Sequence, residues 1–389
     1  MQDDPLVFTI FLIFAGAAVM ATFALYARQA LLVAYIVLGM LFGPSGFELV
    51  SDPALIKQIS HVGIMFLLFL LGLNLPPSKL VPLFKETTLI TGISSLLFAS
   101  IGASVVWFFG FDYWECLIIG ASLTFSSTII GLKLLPTTVL HHRRTGEIII
   151  SILLIQDIVA IIVLLLLQTA GQGGLPWTDI VVRTAALPGL VLVAYVLERF
   201  ILIKLITRFD KIQEYIFLMA IAWCLGFAEL ASAVGLSHEI GAFIAGVALA
   251  TSPISLFIGE NLKPLRDFFL IIFFFSLGAS FNIDMLMVVF VPASLIAALV
   301  ITGKPIIFRL LLRYNGEASG RSGEVGVRLG QISEFSLLIA VLAFDLNIIG
   351  EQASYLIQVA TLLTFIVSSY LIVKRYPTPI ALTDKLRRN

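Results

Sequence analysis

The chain has 389 residues, of which 59% are hydrophobic and 12% charged, against about 25% charged in an ordinary soluble domain. So much apolar surface excludes a water-soluble globular protein. With 24 basic and 24 acidic residues the formal net charge is zero, so no global bias points to nucleic acid or to an acidic partner.

The opening MQDDPLVF carries acids where a cleavable signal needs positive charge, so the first apolar run is expected to remain as a membrane span. Crossing roughly 30 Å of hydrocarbon takes about 20 helical residues, and about thirteen apolar segments qualify. They fall near 5–27, 30–43, 56–75, 87–110, 115–136, 146–169, 178–207, 214–232, 236–251, 264–281, 285–312, 325–345 and 352–374. The predicted fold class is an all-α polytopic membrane protein. With the N-terminus outside, every Lys and Arg except Lys57, Arg183 and Lys304 falls on the inner side, where positive charge gathers. This predicts a multi-pass protein of the cell inner membrane, with an external N-terminus and a cytoplasmic C-terminus. A transmembrane domain is expected over 1–375, followed by a short basic tail over 376–389 and no soluble domain. Cys116 and Cys224 lie far apart in apolar stretches and are read as small packing residues, with no disulfide framework or metal spacing.

Ionisable groups at membrane depth are costly and point to function. In the sixth span, Gly146–Gln168, Asp157 sits about 11 residues, roughly 17 Å, from the inner end and near the midplane. Its side chain is too short to snorkel to water, and a structural hydrogen bond would be served more cheaply by Asn or Ser. Lys304 lies about 13 Å above the inner surface, and its stem brings the ammonium toward the depth of Gln156 and Asp157; the alternative is a lysine that snorkels to the cytoplasm. Two spans carry polar clusters at mid-depth. The fifth contains Gly120, Ser122, Thr124, Ser126, Ser127 and Thr128, and the twelfth contains Gly330, Gln331, Ser333, Glu334 and Ser336. Such interruptions either mark a transporter site built from discontinuous helices or reflect small-residue helix packing. The two spans are separated by an odd number, so they cross in opposite directions, and spans four to six and eleven to thirteen are expected to form inverted repeats. His61, His238, Glu239 and Glu229 near outer span ends, and His141 and His142 in an inner loop, are read as solvated interfacial groups.

The segments AYIVLGMLFGPSGFELV, HVGIMFLLFLLGLNLPPSKL, LTFSSTIIGLKLL, LLIQDIVAI, GLSHEIGAFIAGVALA, LRDFFLIIFFFSLGAS and LGQISEFSLLIAVLAF resemble, in order and over nearly the whole chain, the second monovalent cation/proton antiporter family. Asn74 stands where an acidic residue is common in that family. The resemblance implies a dimerisation part, hence a homodimer, and a mobile core part with crossed, broken fifth and twelfth helices. It also implies that Asp157 is the carboxylate that carries proton or cation. Members with two adjacent aspartates at this point tend to be electrogenic sodium/proton exchangers. Gln156-Asp157 is similar instead to the potassium/proton branch that includes the glutathione-gated potassium efflux systems, whose C-terminal nucleotide-binding domain is absent from this sequence. Lys304 matches the family lysine that can pair with the residue before or at the ion-binding aspartate.

The expected mechanism is competition at one carboxyl: a carboxylate removed from water needs a proton or a cation, and each displaces the other. Asp157 and Gln156, with oxygens of Thr124, Ser126 and Ser127 as hard ligands, form the expected site for a monovalent cation. Lys304, Ser333 and Glu334 are its expected structural and charge partners. Potassium or sodium and the proton are the expected cargo, the lipid bilayer the surrounding partner, and no cofactor is expected. The alternatives are sodium/proton exchange, a gated potassium channel, for which no carbonyl filter or acidic ring is visible, and a sensor that binds cations without transport. No nucleophile, base and orienter converge as an enzyme would need.

Overall fold

The computed structural model describes residues 5–50, 53–73, 77–134, 144–170, 177–209, 212–236, 238–252 and 254–378. His141, His142, Asn74 and the predicted tail beyond residue 378 lie outside the described residues. Among the described residues every regular element is a helix: α1 Pro5–Tyr26, α2 Leu31–Phe42, α3 Pro53–Leu73, α4 Pro77–Trp107, α5 Tyr113–Thr124, α6 Thr128–Lys133, α7 Arg144–Ala170, α8 Trp177–Leu197, α9 Ile203–Arg208, α10 Gln213–Ala233, α11 His238–Ala250, α12 Ser255–Ala279, α13 Ile283–Tyr314, α14 Ser319–Arg328, α15 Glu334–Asp345 and α16 Glu351–Arg375. In hydrocarbon no water pairs with the backbone, so a spanning segment must satisfy its own N–H and C=O groups, and a helix does this locally. Each predicted span meets one helix or a pair. A π-helical turn at Glu198–Leu202 joins α8 to α9, and α5/α6 and α14/α15 are the two interrupted spans. Among the described residues, six helices are long and apolar enough to cross a membrane, and three shorter apolar stretches accompany them.

The chain folds into two compact units, one made of residues 1–19, 35–81 and 173–281, the other of 20–34, 82–172 and 282–389. In the first, α3 lies against α11 and α12. The approach of α3 to α11 is so close that a Cβ on Gly246 would stand 2.1 Å from the Phe69 carbonyl oxygen, and one on Gly72 2.5 Å from that of Phe243. Glycine is needed at both positions because lipid offers no hydrophobic drive between helices, and close backbone packing replaces it. In this unit His61 Nδ1 stands 3.9 Å from Glu239 Oε1, and His238 Nε2 stands 3.5 Å from Glu229 Oε1.

The second unit holds both interrupted spans. Ile90 and Phe98 of α4, Ile148, Ile149, Ile152 and Leu153 of α7, Phe308 and Leu312 of α13, Val325 of α14, and Leu329 form one buried cluster. Along α7 the buried positions continue through Gln156, Asp157, Ala160, Ile161 and Leu164. This is a helical stripe of i, i+3 and i+4 spacing, and the polar pair Gln156-Asp157 is carried on it into the interior. Packing of α7, set by its aliphatic residues, thereby fixes where the carboxyl sits.

Between α13 and α14, outside the spanning segments, Glu317 accepts from Arg144 Nε at 3.2 Å and from Arg321 Nη1 at 2.5 Å. Burial pushes the Glu317 carboxyl up, but the bonds and charges of Arg321 and Arg144 outweigh it and hold the group below the ordinary glutamate value of 4.5. A carboxyl depressed in the folded state stabilises above its unfolded pKa, and that contribution is lost as pH falls through the folded pKa. Glu317→Gln is therefore expected to melt a few degrees lower than the wild type at neutral pH in detergent. The gap should close as pH falls below 4.5, and a gap unchanged at low pH would rule out an ionic origin.

Candidate functional site

The two interruptions are built alike. After α5, Phe125 is extended at φ −78° and ψ 145°, and after α14 the chain reaches Ser333, extended at φ −95° and ψ 156°. Each following half-helix opens on a serine cap. Ser127 Oγ accepts from the Ile130 N–H at 3.1 Å, and Ser333 Oγ accepts from the Phe335 N–H at 3.1 Å. The first residues of the two half-helices, Thr128 and Glu334, are joined by a hydrogen bond from the Thr128 hydroxyl to Glu334 Oε1. Further bonds lace the breaks together: Ser126 Oγ donates to Leu329 O at 2.9 Å, Gln331 Nε2 to Ser127 O at 3.3 Å, and Ser336 Oγ to Ser122 O at 2.6 Å. The polar residues of both spans thus meet at one crossing rather than lining separate helix interfaces.

Lys304 holds the opposite polarity of the crossing. A Cβ on Gly326 would stand 2.6 Å from the Pro305 carbonyl oxygen, so α14 rests directly on α13 beside Lys304. Lys304 Nζ donates to Phe125 O at 2.6 Å, Gln331 O at 3.0 Å and Ser126 Oγ at 3.3 Å. The Phe98 ring centroid lies 5.6 Å from the same nitrogen. The side chain is fully buried, which excludes snorkelling. A helix that stops inside the membrane leaves orphan carbonyls and the negative end of its dipole. An ammonium with three donors is suited to serve two such ends at once.

The sequence expectation is that Lys304 can pair with the residue before or at the aspartate, and the bonds of its Nζ run instead to Phe125 O, Ser126 Oγ and Gln331 O. Gln156 clamps the first break itself, its Oε1 accepting from the Ser126 N–H at 2.9 Å and its Nε2 donating to Thr124 O at 3.1 Å. It replaces, across the gap, one donor and one acceptor that a continuous helix would have supplied. Lys304 meets the same gap at Phe125 O and Ser126 Oγ. The physical reason is that the broken backbone, with its unpaired groups, outcompetes a side-chain amide as a partner.

Asp157 is 2% exposed, and among the described residues its Oδ2 has no hydrogen-bond partner. A buried acceptor left open costs about 1–3 kcal/mol. The expected hydroxyl ligands lie at the break beside Gln156, but each is already engaged in holding the backbone. Thr124 Oγ1 donates to Ala121 O at 2.8 Å, Ser126 Oγ to Leu329 O, and Ser127 Oγ caps α6. Only their remaining lone pairs are available to an ion. Gln331 is visible in the sequence as part of a polar run but not as a hub. Its Oε1 accepts from Ser368 Oγ at 3.0 Å and its Nε2 also donates to Arg328 O at 3.0 Å, while Thr364 Oγ1 accepts from the Ile332 N–H at 3.1 Å. The buried, hydroxyl-rich face of α16 that supplies these groups gives no separate signal in the sequence. Among the described residues no three His, Cys, Asp or Glu side chains gather as a divalent-metal site would require.

The family model described as sodium/hydrogen exchanger, transmembrane, matches residues 10–373. Potassium efflux antiporter 4 of Arabidopsis thaliana is 27% identical over 375 residues, covering 93% of this chain and 62% of that protein. The iron transporter MagA of Paramagnetospirillum magneticum is 26% identical over 352 residues, covering 88% of this chain and 79% of that protein. The chain spans about three-fifths of the length of the potassium efflux antiporter. The solved structure of the sodium proton antiporter MjNhaP1 from Methanocaldococcus jannaschii superposes with a TM-score of 0.66 at 18% identity, covering 94% of this chain and 95% of that one, which establishes a shared fold.

Replacing Lys304 with the shorter, uncharged Gln would remove the ammonium that bonds Phe125 O and Gln331 O in the two breaks, at a cost of about 1–3 kcal/mol. The variant is expected to melt several degrees below the wild type in detergent. Equal melting temperatures would show that the ammonium is not needed to hold the crossing.

Proposed function

The chain belongs to the sodium/hydrogen exchanger family, and on that premise we propose that it exchanges potassium for protons through the single carboxyl of Asp157. The observation that carries the proposal is the unpartnered Oδ2 of a carboxyl buried beside two crossed, interrupted helices. At such a carboxyl a proton and a bare cation compete, because each neutralises the charge that the interior disfavours. Lone pairs of Thr124, Ser126 and Ser127, which are hard oxygen donors, complete the coordination of a monovalent ion. Ser333 caps α15 and Glu334, bonded to Thr128, ties the two half-helices into one unit, so that they act as structural and charge partners of the site. Alternating exposure of Asp157 to the two sides of the membrane then moves one ion in each direction.

Potassium is favoured over sodium by the name of the Arabidopsis relative, 27% identical over most of this chain. Gln156 supports the same reading, because a neutral amide stands where a second carboxylate would add charge to the cycle. One carboxyl then predicts electroneutral exchange. We place the protein in the cell inner membrane as a homodimer, with its N-terminus outside and its C-terminus in the cytoplasm.

Purified protein in proteoliposomes is expected to show saturable proton flux driven by a potassium gradient and indifferent to an imposed membrane potential. Faster exchange with sodium would establish the sodium/proton alternative, flux driven by iron a third cargo, and non-saturating flux uncoupled from protons a channel. Asp157→Asn, with nearly the same volume and no exchangeable charge, should reduce coupled flux to that of empty vesicles while leaving the melting profile intact. Undiminished exchange by this variant would remove Asp157 from the mechanism. Gln156→Asp removes the donor to Thr124 O and adds a charge beside the first; it should make flux respond to membrane potential or alter the potassium-to-sodium ratio. Wild-type values of both would show that residue 156 has no part in coupling.

A further inference from the structure

Arg328 is the last residue of α14 and is fully buried. Removing a guanidinium from water is costly unless its donors and face are engaged, and here each of its three nitrogens donates a bond and its face is covered. Nε donates to Glu324 Oε1 at 3.0 Å, one turn back on the same helix. Nη1 donates to Leu134 O at 3.0 Å, just past the end of α6, and Nη2 to Pro377 O at 2.8 Å, just past the end of α16. The Tyr376 ring centroid lies 5.7 Å from the guanidinium carbon. Two of these bonds therefore tie the end of α14 to the exits of α6 and α16, and α6 and α14 are halves of the interrupted spans. All of these residues belong to the second unit.

The backbone of the same residue is built into the crossing. Arg328 O accepts from Gln331 Nε2, and the neighbouring Leu329 O accepts from Ser126 Oγ. Gln331 O in turn accepts from Lys304 Nζ. A displacement of Tyr376-Pro377 is thus passed through a rigid planar fork to the carbonyls that hold both breaks, with no further element between.

We propose that Arg328 is a positioning residue that straps the segment leaving α16, residues 376–378, to the ends of α6 and α14. The position of this strap sets the geometry of the crossing and hence the cation affinity of the site. Whatever pulls on the chain beyond residue 376 reaches the site through this guanidinium. The flux arm of the test rests on the exchange activity proposed above; the exchange-protection arm does not.

The test uses two variants of the full chain in detergent and in proteoliposomes. Arg328→Lys keeps the charge and loses the fork, and Tyr376→Leu removes the ring while leaving the guanidinium. In hydrogen–deuterium exchange both are expected to speed the amides of residues 329–336 by about tenfold, through local opening of the crossing, while those of α3 keep wild-type rates. In flux both should raise the potassium concentration for half-maximal exchange several-fold with the maximal rate retained. The double variant should be no worse than the stronger single, because both act through one contact. Wild-type protection of residues 329–336 in Tyr376→Leu would overturn the strap, and this variant decides the matter even where Arg328→Lys does not yield folded protein. Multiplying effects in the double variant would overturn it as well. A wild type that exchanges no cation would sink the proposed transport, leaving the protection measurement to judge the strap.

Discussion

The second unit depends on how two helices can stop in the middle of a membrane. An interrupted helix leaves N–H and C=O groups that lipid cannot satisfy, so each end needs a partner from elsewhere in the fold. The Lys304 ammonium bonds one carbonyl in each break, Phe125 O just past α5 and Gln331 O between α14 and α15, while Arg328 O and Leu329 O at the end of α14 accept from Gln331 Nε2 and Ser126 Oγ. The amide ends of α6 and α15 are served by their own serine caps, Ser127 and Ser333. Lysine suits the carbonyl ends better than arginine would. Its compact charge and three rotatable donors can address carbonyls from two directions, whereas a guanidinium fixes its partners in one plane.

Once the crossing is held, the division of labour on α7 follows. Gln156 and Asp157 are neighbours on one buried stripe. The amide carries both a donor and an acceptor, and it is consumed in bridging Ser126 N–H and Thr124 O. The carboxylate is acceptor-only when ionised; it could not bridge the gap in that way, and its Oδ2 is left open. The same geometry that stabilises the break therefore isolates one titratable oxygen beside it. Sequence membership in the exchanger family and the fold shared with a solved antiporter give that oxygen its context.

Arg328 does for the outer boundary of the crossing what Lys304 does at its centre. Both are basic, both are fully buried, and both bond mainly to backbone carbonyls at helix exits. Their chemistry differs with the geometry each must meet. The lysine converges on two breaks from one side, and the arginine's fork, steadied by Glu324, ties the end of α14 to two separate chain exits.

Much of this was legible in the sequence, because a bilayer penalises polarity locally and so makes it conspicuous. The spans, their pairing into oppositely directed interrupted helices, the buried Asp157 and the depth of Lys304 each follow from a residue and its distance along one apolar run. The partners of those residues do not. Ser126 finds Leu329 across a sequence separation of 203 residues, and Lys304 finds Phe125 across 179. Nothing near Gln156 in the chain announces that its amide closes a backbone gap, or that Ser126 and Ser127 are already engaged there. Arg328 reads as one more positive charge on the inner side, since a loop-facing arginine and a buried one have the same local sequence. The sequence alone determined which groups must be withdrawn from water, because that depends on span length and hydropathy. Only the tertiary structure decided which of them satisfy one another, because hydrogen bonds at helix ends are set by the packing of α4, α7, α13 and α16 around the breaks.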